Sequence, residues 1–405
     1  MANEDPSPSS RSADAFSAEG YRPRSGKRVG VVLPNLFAIG AQRYVLGICK
    51  MLEARGFECD FLLQDPSGQF LREVPAAKVV PFAHRFLSRI RYVRTVESMS
   101  RLAATLRRGN YDIIFSVTPF LNRVLCALKA AGAFSSRLVI EEHGYPPLYL
   151  TVEDGMSKAE VMFYRNTFGL YRKADAIRVI SDGIREFYTS VGLETNVILF
   201  PNLIDLPRID RLGREDPTTR LSDRTRNVVY FGRLGLQKNV AFLIESIGHL
   251  RRTVDAHLWI IGDGDQRQSL EQTAQRLGLA AHITFLGYQE NPYPLLKQGD
   301  VFALTSVWEG SPQVIVEAMT LGVPVVSVDC LTGPSEMLGK KSERGWLVPR
   351  AADPAGFAAS LADALERKEE THRRAEAAKK FATNTYDLQT RIDEYIDVFF
   401  QGVPS

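Results

Sequence analysis

The chain has 405 residues, a formal net charge of +3, 45% hydrophobic residues and 24% charged ones. That length suggests about two domains, the composition is that of a globular protein able to bury two cores, and the small charge does not argue for a nucleic-acid partner. Cys49, Cys59, Cys126 and Cys330 are scattered with no C-x-x-C pair, which argues against a zinc site and against a disulfide framework.

Residues 1–26 are rich in Ser, Pro and charge and are expected to be a disordered tail. The fold is expected to start at Lys27, with a buried strand over 28–33, a helix over 41–53 and a second strand over 57–63. Between the first strand and the helix runs the turn 34–43, whose glycine is Gly40. Residues 85–108 read as a basic amphipathic helix, in which seven arginines face only Glu97 as an acid. Such a face suits an anionic membrane surface or an acceptor's phosphates, and equally a solvated surface. Strands are expected over 111–117, 137–142 and 176–181, with a helix from about 122 to 131 and a closing segment at 197–202. His143 follows the 137–142 strand, at the strand end where α/β sheets gather ligands, although a lone histidine is more often a structural hydrogen-bonding group.

Residues 203–226 are polar and contain Pro207 and Pro217, as a linker would. A second series follows: a strand over 227–231, a helix from about 240, a strand over 257–261, a helix through 277 and a strand over 282–286. Two successive βα series imply two doubly wound α/β domains, about 27–202 and 227–384, facing each other across a cleft. The amphipathic end, 388–400, reads as a last helix. No apolar run approaches the ~18 residues of a transmembrane helix, and no signal-peptide segment is present, so a cytoplasmic protein is expected, with peripheral membrane contact through 85–108 left open.

The densest signal lies at 300–338. Residues 301–304 read as a buried strand, and Ser311-Pro312 opens an apolar helix over 314–321, with Ser311 expected as its N-cap and Pro312 at its first position. A helix start beyond a parallel strand aims free N–H groups and partial positive charge at the ligand crevice. Glu309 lies just before that start and Glu317 inside the helix, on the same face as Gln313. A carboxylate in so apolar a helix needs a partner that justifies its desolvation, whether a buried ion pair, a cap or a ligand.

The E-x7-E pair with Glu309-Gly310-Ser311-Pro312, Glu317-Ala318-Met319, Gly322-Val323-Pro324 and Gly333-Pro334-Ser335-Glu336 resembles the GT-B-fold retaining glycosyltransferases of family 4. Two positions depart from the family pattern: Ser311 stands where an aromatic is common, and Ile39 replaces one of two loop glycines. The resemblance implies a GT-B fold and transfer of a hexose or N-acetylhexosamine from a nucleoside-diphosphate sugar, preferably a UDP-sugar. The expected acceptor is a glycan or lipid-linked saccharide of surface polysaccharide synthesis, such as lipopolysaccharide. It implies that the Gly40 loop approaches the donor phosphates, that His143 lies near the transferring sugar, and that the last helix crosses back onto the N-terminal domain. It also implies that Gly232, Arg233 and Lys238 hold the diphosphate, that Tyr288 meets the base, and that Glu317 takes the ribose hydroxyls. Glu309 would hold a sugar hydroxyl, and Gly310, Ser311 and Gln313 would contribute to donor binding, Ser311 and Gln313 through backbone N–H groups.

The transition state of such a transfer puts negative charge on the departing diphosphate, which cations and helix N-termini can stabilise. Surface exposure is the commoner fate of an Arg or Lys, so Arg233 and Lys238 gain weight only from the FGRL…QKN pattern. Asp263-Gly264-Asp265 imitates a D-x-D metal motif, but its place in a βα turn suggests a helix-capping Asp, and no metal cofactor is expected. A nucleotide-sugar epimerase of GT-B fold and a catalytically silent GT-B scaffold are the alternatives.

Overall fold

The computed structural model describes residues 26–37, 40–82, 91–145, 162, 168–217 and 219–401. All but Gly26 of the expected tail, and Arg85 and Arg89 of the basic segment, lie outside the described residues.

The first sheet contains β1 (Arg28–Leu33), β2 (Glu58–Leu63), β3 (Val79–Pro81), β4 (Ile113–Ser116), β5 (Arg137–Glu142), β6 (Ala176–Val179) and β7 (Val197–Leu199), in the order β3-β2-β1-β4-β5-β6-β7. The second contains β8 (Arg226–Phe231), β9 (Ala256–Ile261), β10 (Ile283–Gly287), β11 (Val301–Leu304), β12 (Val325–Val328) and β13 (Trp346–Val348), in the order β10-β9-β8-β11-β12-β13. Neighbouring strands pair in parallel throughout. The runs are short and β-branched, and β4, β6, β11 and β12 are buried at every residue, as strands covered on both faces by helices must be. This is the expected α/β GT-B architecture of two Rossmann-like sheets. Several expected ends were too long, because strand pairing stops before the apolar character of the chain does; the 197–202 segment is a strand only over Val197–Leu199.

In each sheet the order reverses once, between β1 and β4 and between β8 and β11. Diverging chain paths at such a reversal leave a crevice beyond the carboxyl ends of the strands. The residues after β1, β8 and β11 include the Gly40 turn, Arg233, Lys238 and Glu309.

The 203–226 segment joins the two sheets and carries a short helix. Pro207 starts a helix there rather than breaking one: in Leu206–Leu212, Asp205 caps the first turn by accepting the Arg208 N–H at 3.0 Å. Beside it the chain passes between the domains twice. The outgoing and returning strands are tied at Ile204, whose N–H donates to Tyr386 O at 2.7 Å and whose carbonyl accepts from Leu388 N at 2.9 Å.

The returning end forms the Leu388–Ile396 helix and a further turn, Asp397–Gln401. Ile392, Tyr395, Ile396, Phe399 and Phe400 are buried in the same core as Val29, Val31, Phe57 and Phe115 of the N-terminal sheet. Phe400 meets the Phe57 and Phe115 rings edge-on at 6.0 and 5.6 Å. Asp393 pairs with Arg55 at 2.6 Å. Phe400→Ala is expected to lower stability by about 3–5 kcal/mol through the cavity it leaves, read as a fall in the denaturant midpoint at unchanged slope. Among the described residues no helix is long and apolar enough to cross a membrane. All four cysteines are buried and free.

Candidate active site

The turn after β8 and the loop after β11 are clamped together because those strands are sheet neighbours. Val307 N–H donates to Gln237 O at 2.9 Å, Gln237 Nε2 to Trp308 O at 2.8 Å, and Thr305 Oγ1 to the carbonyls of Lys238 and Asn239, each at 3.1 Å. Asn239 takes a left-handed conformation, φ 48°, which ends the Leu236–Lys238 turn and lets the Val240–Leu250 helix begin. The clamp presents Lys238 to Glu309. Lys238 Nζ lies 2.5 Å from Glu309 Oε1, and the Ser306 hydroxyl donates to the same oxygen at 2.6 Å. Glu309 is only 6% exposed, so this carboxylate is held by charge and hydrogen bonds in the loop beyond β11.

Glu317 has no such partner. It stands on the Gln313–Thr320 helix among Ile315, Val316, Ala318 and Met319, all buried. One oxygen lies 3.4 Å from the Tyr293 hydroxyl, which donates to it, while Oε2 is buried with no hydrogen-bond partner. Burial pushes the Glu317 carboxyl up to about 7, against a smaller downward pull from Tyr293. Burial and the neighbouring carboxylate also push the Tyr293 phenol well up, so it stays a neutral donor. Glu317, Gln313 and Tyr293 line a cavity of about 970 Å³ whose other wall is formed by Arg43 and Tyr44 of the N-terminal domain and Arg208 of the linker helix. Glu317 thus combines a desolvated carboxylate, one of whose oxygens has no partner, with a place on the wall of a cavity of small-ligand size.

His143, just past β5, lies against the Glu309-Gly310 loop. A Cβ on Gly310 would fall 2.2 Å from His143 O, so only glycine allows the Glu309 loop to approach this strand end so closely. His143 Nε2 bonds the buried Glu141 Oε2 at 2.8 Å, and its ring sits edge-on to Tyr44 at 5.2 Å. The Gly333 turn packs beneath Ser311-Pro312, and Thr332 Oγ1 donates to the carbonyls of Glu309 and Gly310. Glu336 then reaches the other domain, where its Oε2 accepts the Asp182 N–H at 3.0 Å at the start of the Asp182–Ser190 helix.

The structure thus brings together His143, Lys238, Glu309 and Gly310, and places Glu317 and Gln313 on one cavity wall. The remaining expected residues stand apart from these. The Arg233 side chain is 78% exposed and pairs with Asp265 Oδ1 at 3.3 Å. Tyr288 is 79% exposed, outside the Glu317 cavity. Ser311 is not the N-cap. Pro312 holds that position and no side chain caps the helix, leaving its first N–H groups free of a side-chain acceptor. Neither aspartate of Asp263-Gly264-Asp265 caps a helix. Asp263 pairs with Arg267 at 3.2 Å and Asp265 with Arg233, and the helix starts only at Arg267. Gly40 opens the Gly40–Glu53 helix, while Ile39 lies outside the described residues.

Sequence reasoning missed Tyr293, Ser306 and Glu141, and gave Glu336 no role beyond its place in the motif. Ser306, three residues before Glu309 in the strand-end loop, carried a local signal. Tyr293 meets Glu317 across a separation of 24 residues, which nothing local reports.

The model of glycosyl transferases group 1 matches residues 214–381, and that of glycosyltransferase family 4 matches residues 39–208. The chain is 30% identical over 240 residues to the lipopolysaccharide core biosynthesis glycosyltransferase LpsD of Rhizobium meliloti, covering 59% of this chain and 68% of that one. It belongs to the group 1 glycosyltransferases. This glycosyltransferase is also 27% identical over 343 residues to a Campylobacter jejuni enzyme, N-acetylgalactosamine-N,N'-diacetylbacillosaminyl-diphospho-undecaprenol 4-alpha-N-acetylgalactosaminyltransferase, over 80% of this chain and 86% of that one. Its fold matches that of Anabaena HepE, solved in complex with UDP, with a TM-score of 0.73 at 21% identity, covering 92% of this chain and 98% of that one.

Proposed function

We propose that this glycosyltransferase transfers a hexose or N-acetylhexosamine from a UDP-sugar to a lipid-linked or lipopolysaccharide-type saccharide, with retention of anomeric configuration and without a metal. The observation that carries the donor reading is that Glu317, a residue of the cavity wall, has a buried carboxylate oxygen with no hydrogen-bond partner. A ribose offers two hydroxyl donors, and a carboxylate is the acceptor that can take both. The names of the relatives support the acceptor class, and HepE in complex with UDP supports the nucleotide.

In this reading the diphosphate lies over the start of the Gln313–Thr320 helix, where the Ser311 and Gln313 N–H groups and the Lys238 ammonium face it. Gly40, Gly232 and Gly310 let the backbone come close, Tyr288 borders the base, and Arg233 must leave Asp265 to reach a phosphate. As the bond from the anomeric carbon to the diphosphate oxygen breaks, Lys238 and the helix start stabilise the negative charge that develops. Glu309 orients a sugar hydroxyl and supports the positive charge at the anomeric carbon, with His143 on the other side. The acceptor oxygen attacks from the same face and its proton passes to the departing diphosphate. The Arg91–Gly109 helix, which ends in Arg107 and Arg108, is the proposed peripheral membrane contact.

Anomeric proton couplings of the product, read by NMR with a UDP-sugar and a lipid-linked acceptor, are expected to show retention in EDTA as in buffer. An inverted product would overturn the mechanism, and activity lost in EDTA and restored by manganese would overturn the metal-free reading.

A further inference from the structure

Beneath His143 lies a polar cluster buried in the N-terminal sheet. Glu141, on β5, is fully buried and has four partners. Its Oε2 meets His143 Nε2 at 2.8 Å and Arg178 NH1 of β6 at 2.8 Å. Its Oε1 accepts from the Tyr395 hydroxyl at 2.5 Å and from Tyr44 at 3.3 Å. Arg178, also fully buried, is held in turn by the carbonyls of Phe200 and Pro201 and by Asn202 Oδ1, at 3.0, 2.6 and 2.9 Å. Desolvation pushes the Glu141 carboxyl upward, but Arg178, His143 and Tyr395 outweigh it and hold it below the usual carboxylate range. Glu141 is therefore an anion, able only to accept, and the proton of the shared hydrogen bond sits on His143 Nε2. That leaves Nδ1 as the ring nitrogen for other partners. Tyr395 belongs to the returning C-terminal helix, which leaves the C-terminal domain after Tyr386 and packs across the N-terminal core.

We propose that Glu141 is a positioning residue for His143, fixing its Nε2–H form and ring orientation, and that the returning helix takes part in the site by holding Glu141 through Tyr395. The inference rests on the placement of His143 beside the transferring sugar. It gives the C-terminal segment a role beyond covering the apolar core. A residue that acts through a histidine should affect turnover more than donor binding, and should lose its effect once the histidine is gone.

The test uses the full chain with ring-15N histidine. The His143 signals are assigned by their loss in His143→Gln, and they are compared in wild type, Tyr395→Phe and Glu141→Gln. Tyr395→Phe removes one hydroxyl and keeps the ring, so it remains informative if Glu141→Gln, which strips Arg178 of its counter-charge, does not fold. The expected result is a slowly exchanging, downfield Nε2–H proton in wild type that moves upfield and exchanges faster in Tyr395→Phe. In that variant kcat should fall several-fold with the donor KM unchanged, and adding Tyr395→Phe to His143→Ala should produce no further fall. A His143 signal identical in wild type and Tyr395→Phe would overturn the proposal. If the signal moves but His143→Ala retains full kcat, the placement of His143 beside the sugar is what falls, and the catalytic consequence of Glu141 falls with it.

Discussion

Lys238→Ala is expected to lower kcat by about 10²–10³-fold, the range seen when one preorganised charge donor is removed from a developing oxyanion. The same substitution should destabilise the free protein by about 3 kcal/mol, because Glu309 would keep its charge at 8% side-chain exposure with only the Ser306 hydroxyl against it. Glu309→Gln separates the two effects. It removes the charge that needs Lys238, so the thermal midpoint should fall less, while kcat falls by a comparable factor. The double variant should be more stable than Lys238→Ala alone, since no unpaired carboxylate remains. Thermal unfolding and initial rates on the four proteins check this. A Lys238→Ala enzyme with wild-type kcat would remove Lys238 from the reaction.

Glu317→Gln is expected to stabilise the free protein and to weaken its donor binding. The native carboxyl titrates near 7, above the ordinary value for a glutamate, so the folded state holds a proton that the unfolded chain has released between those two values. Stability from this group is therefore present at acid pH and lost as pH rises toward 7, a loss of about 3 kcal/mol at pH 8. Glutamine carries no such penalty: the variant should melt above wild type at pH 8, with the gap closing toward pH 5. Donor binding runs the opposite way. Ribose hydroxyls favour the ionised carboxylate, so wild-type affinity for a UDP-sugar should fall as pH drops from 8 to 6, with a proton released on binding. In Glu317→Gln that pH dependence should vanish and affinity at pH 8 should drop about 10–100-fold, the amide oxygen keeping one hydrogen bond and losing the other, charge-assisted one, worth ~1.5–3 kcal/mol. Calorimetry in buffers of different ionisation enthalpy reads both affinity and proton release.

What the sequence displayed of this fold was its periodic part. Buried parallel strands read as short β-branched runs, and the helices between them as amphipathic stretches, so two doubly wound domains and their order were legible. The Glu309–Glu317 spacing was legible too, because both residues lie on one strand–turn–helix unit whose geometry is local. Long-range placement was not. Tyr293, Glu336, Arg178 and Tyr395 act on partners 24, 154, 37 and 254 residues away, and no local pattern marks such pairs. Arg233 and Lys238 looked alike as cations after a strand. The structure separates them: one is locked against Glu309 by its clamped turn, and the other leans on an exposed aspartate. The Pro207 segment shows the same limit, since proline marks both a linker and the first turn of a helix, and only the Asp205 cap distinguishes them.

The proposed donor site depends on Glu317 holding the ribose of a nucleoside diphosphate. The most direct measurement is calorimetric titration of UDP, GDP and ADP into wild type and Glu317→Ala at pH 8. Saturable binding of UDP in preference to the other two, weakened by at least about 100-fold in Glu317→Ala, is the expected result. Binding of no nucleotide, or equal binding by both proteins, would contradict it.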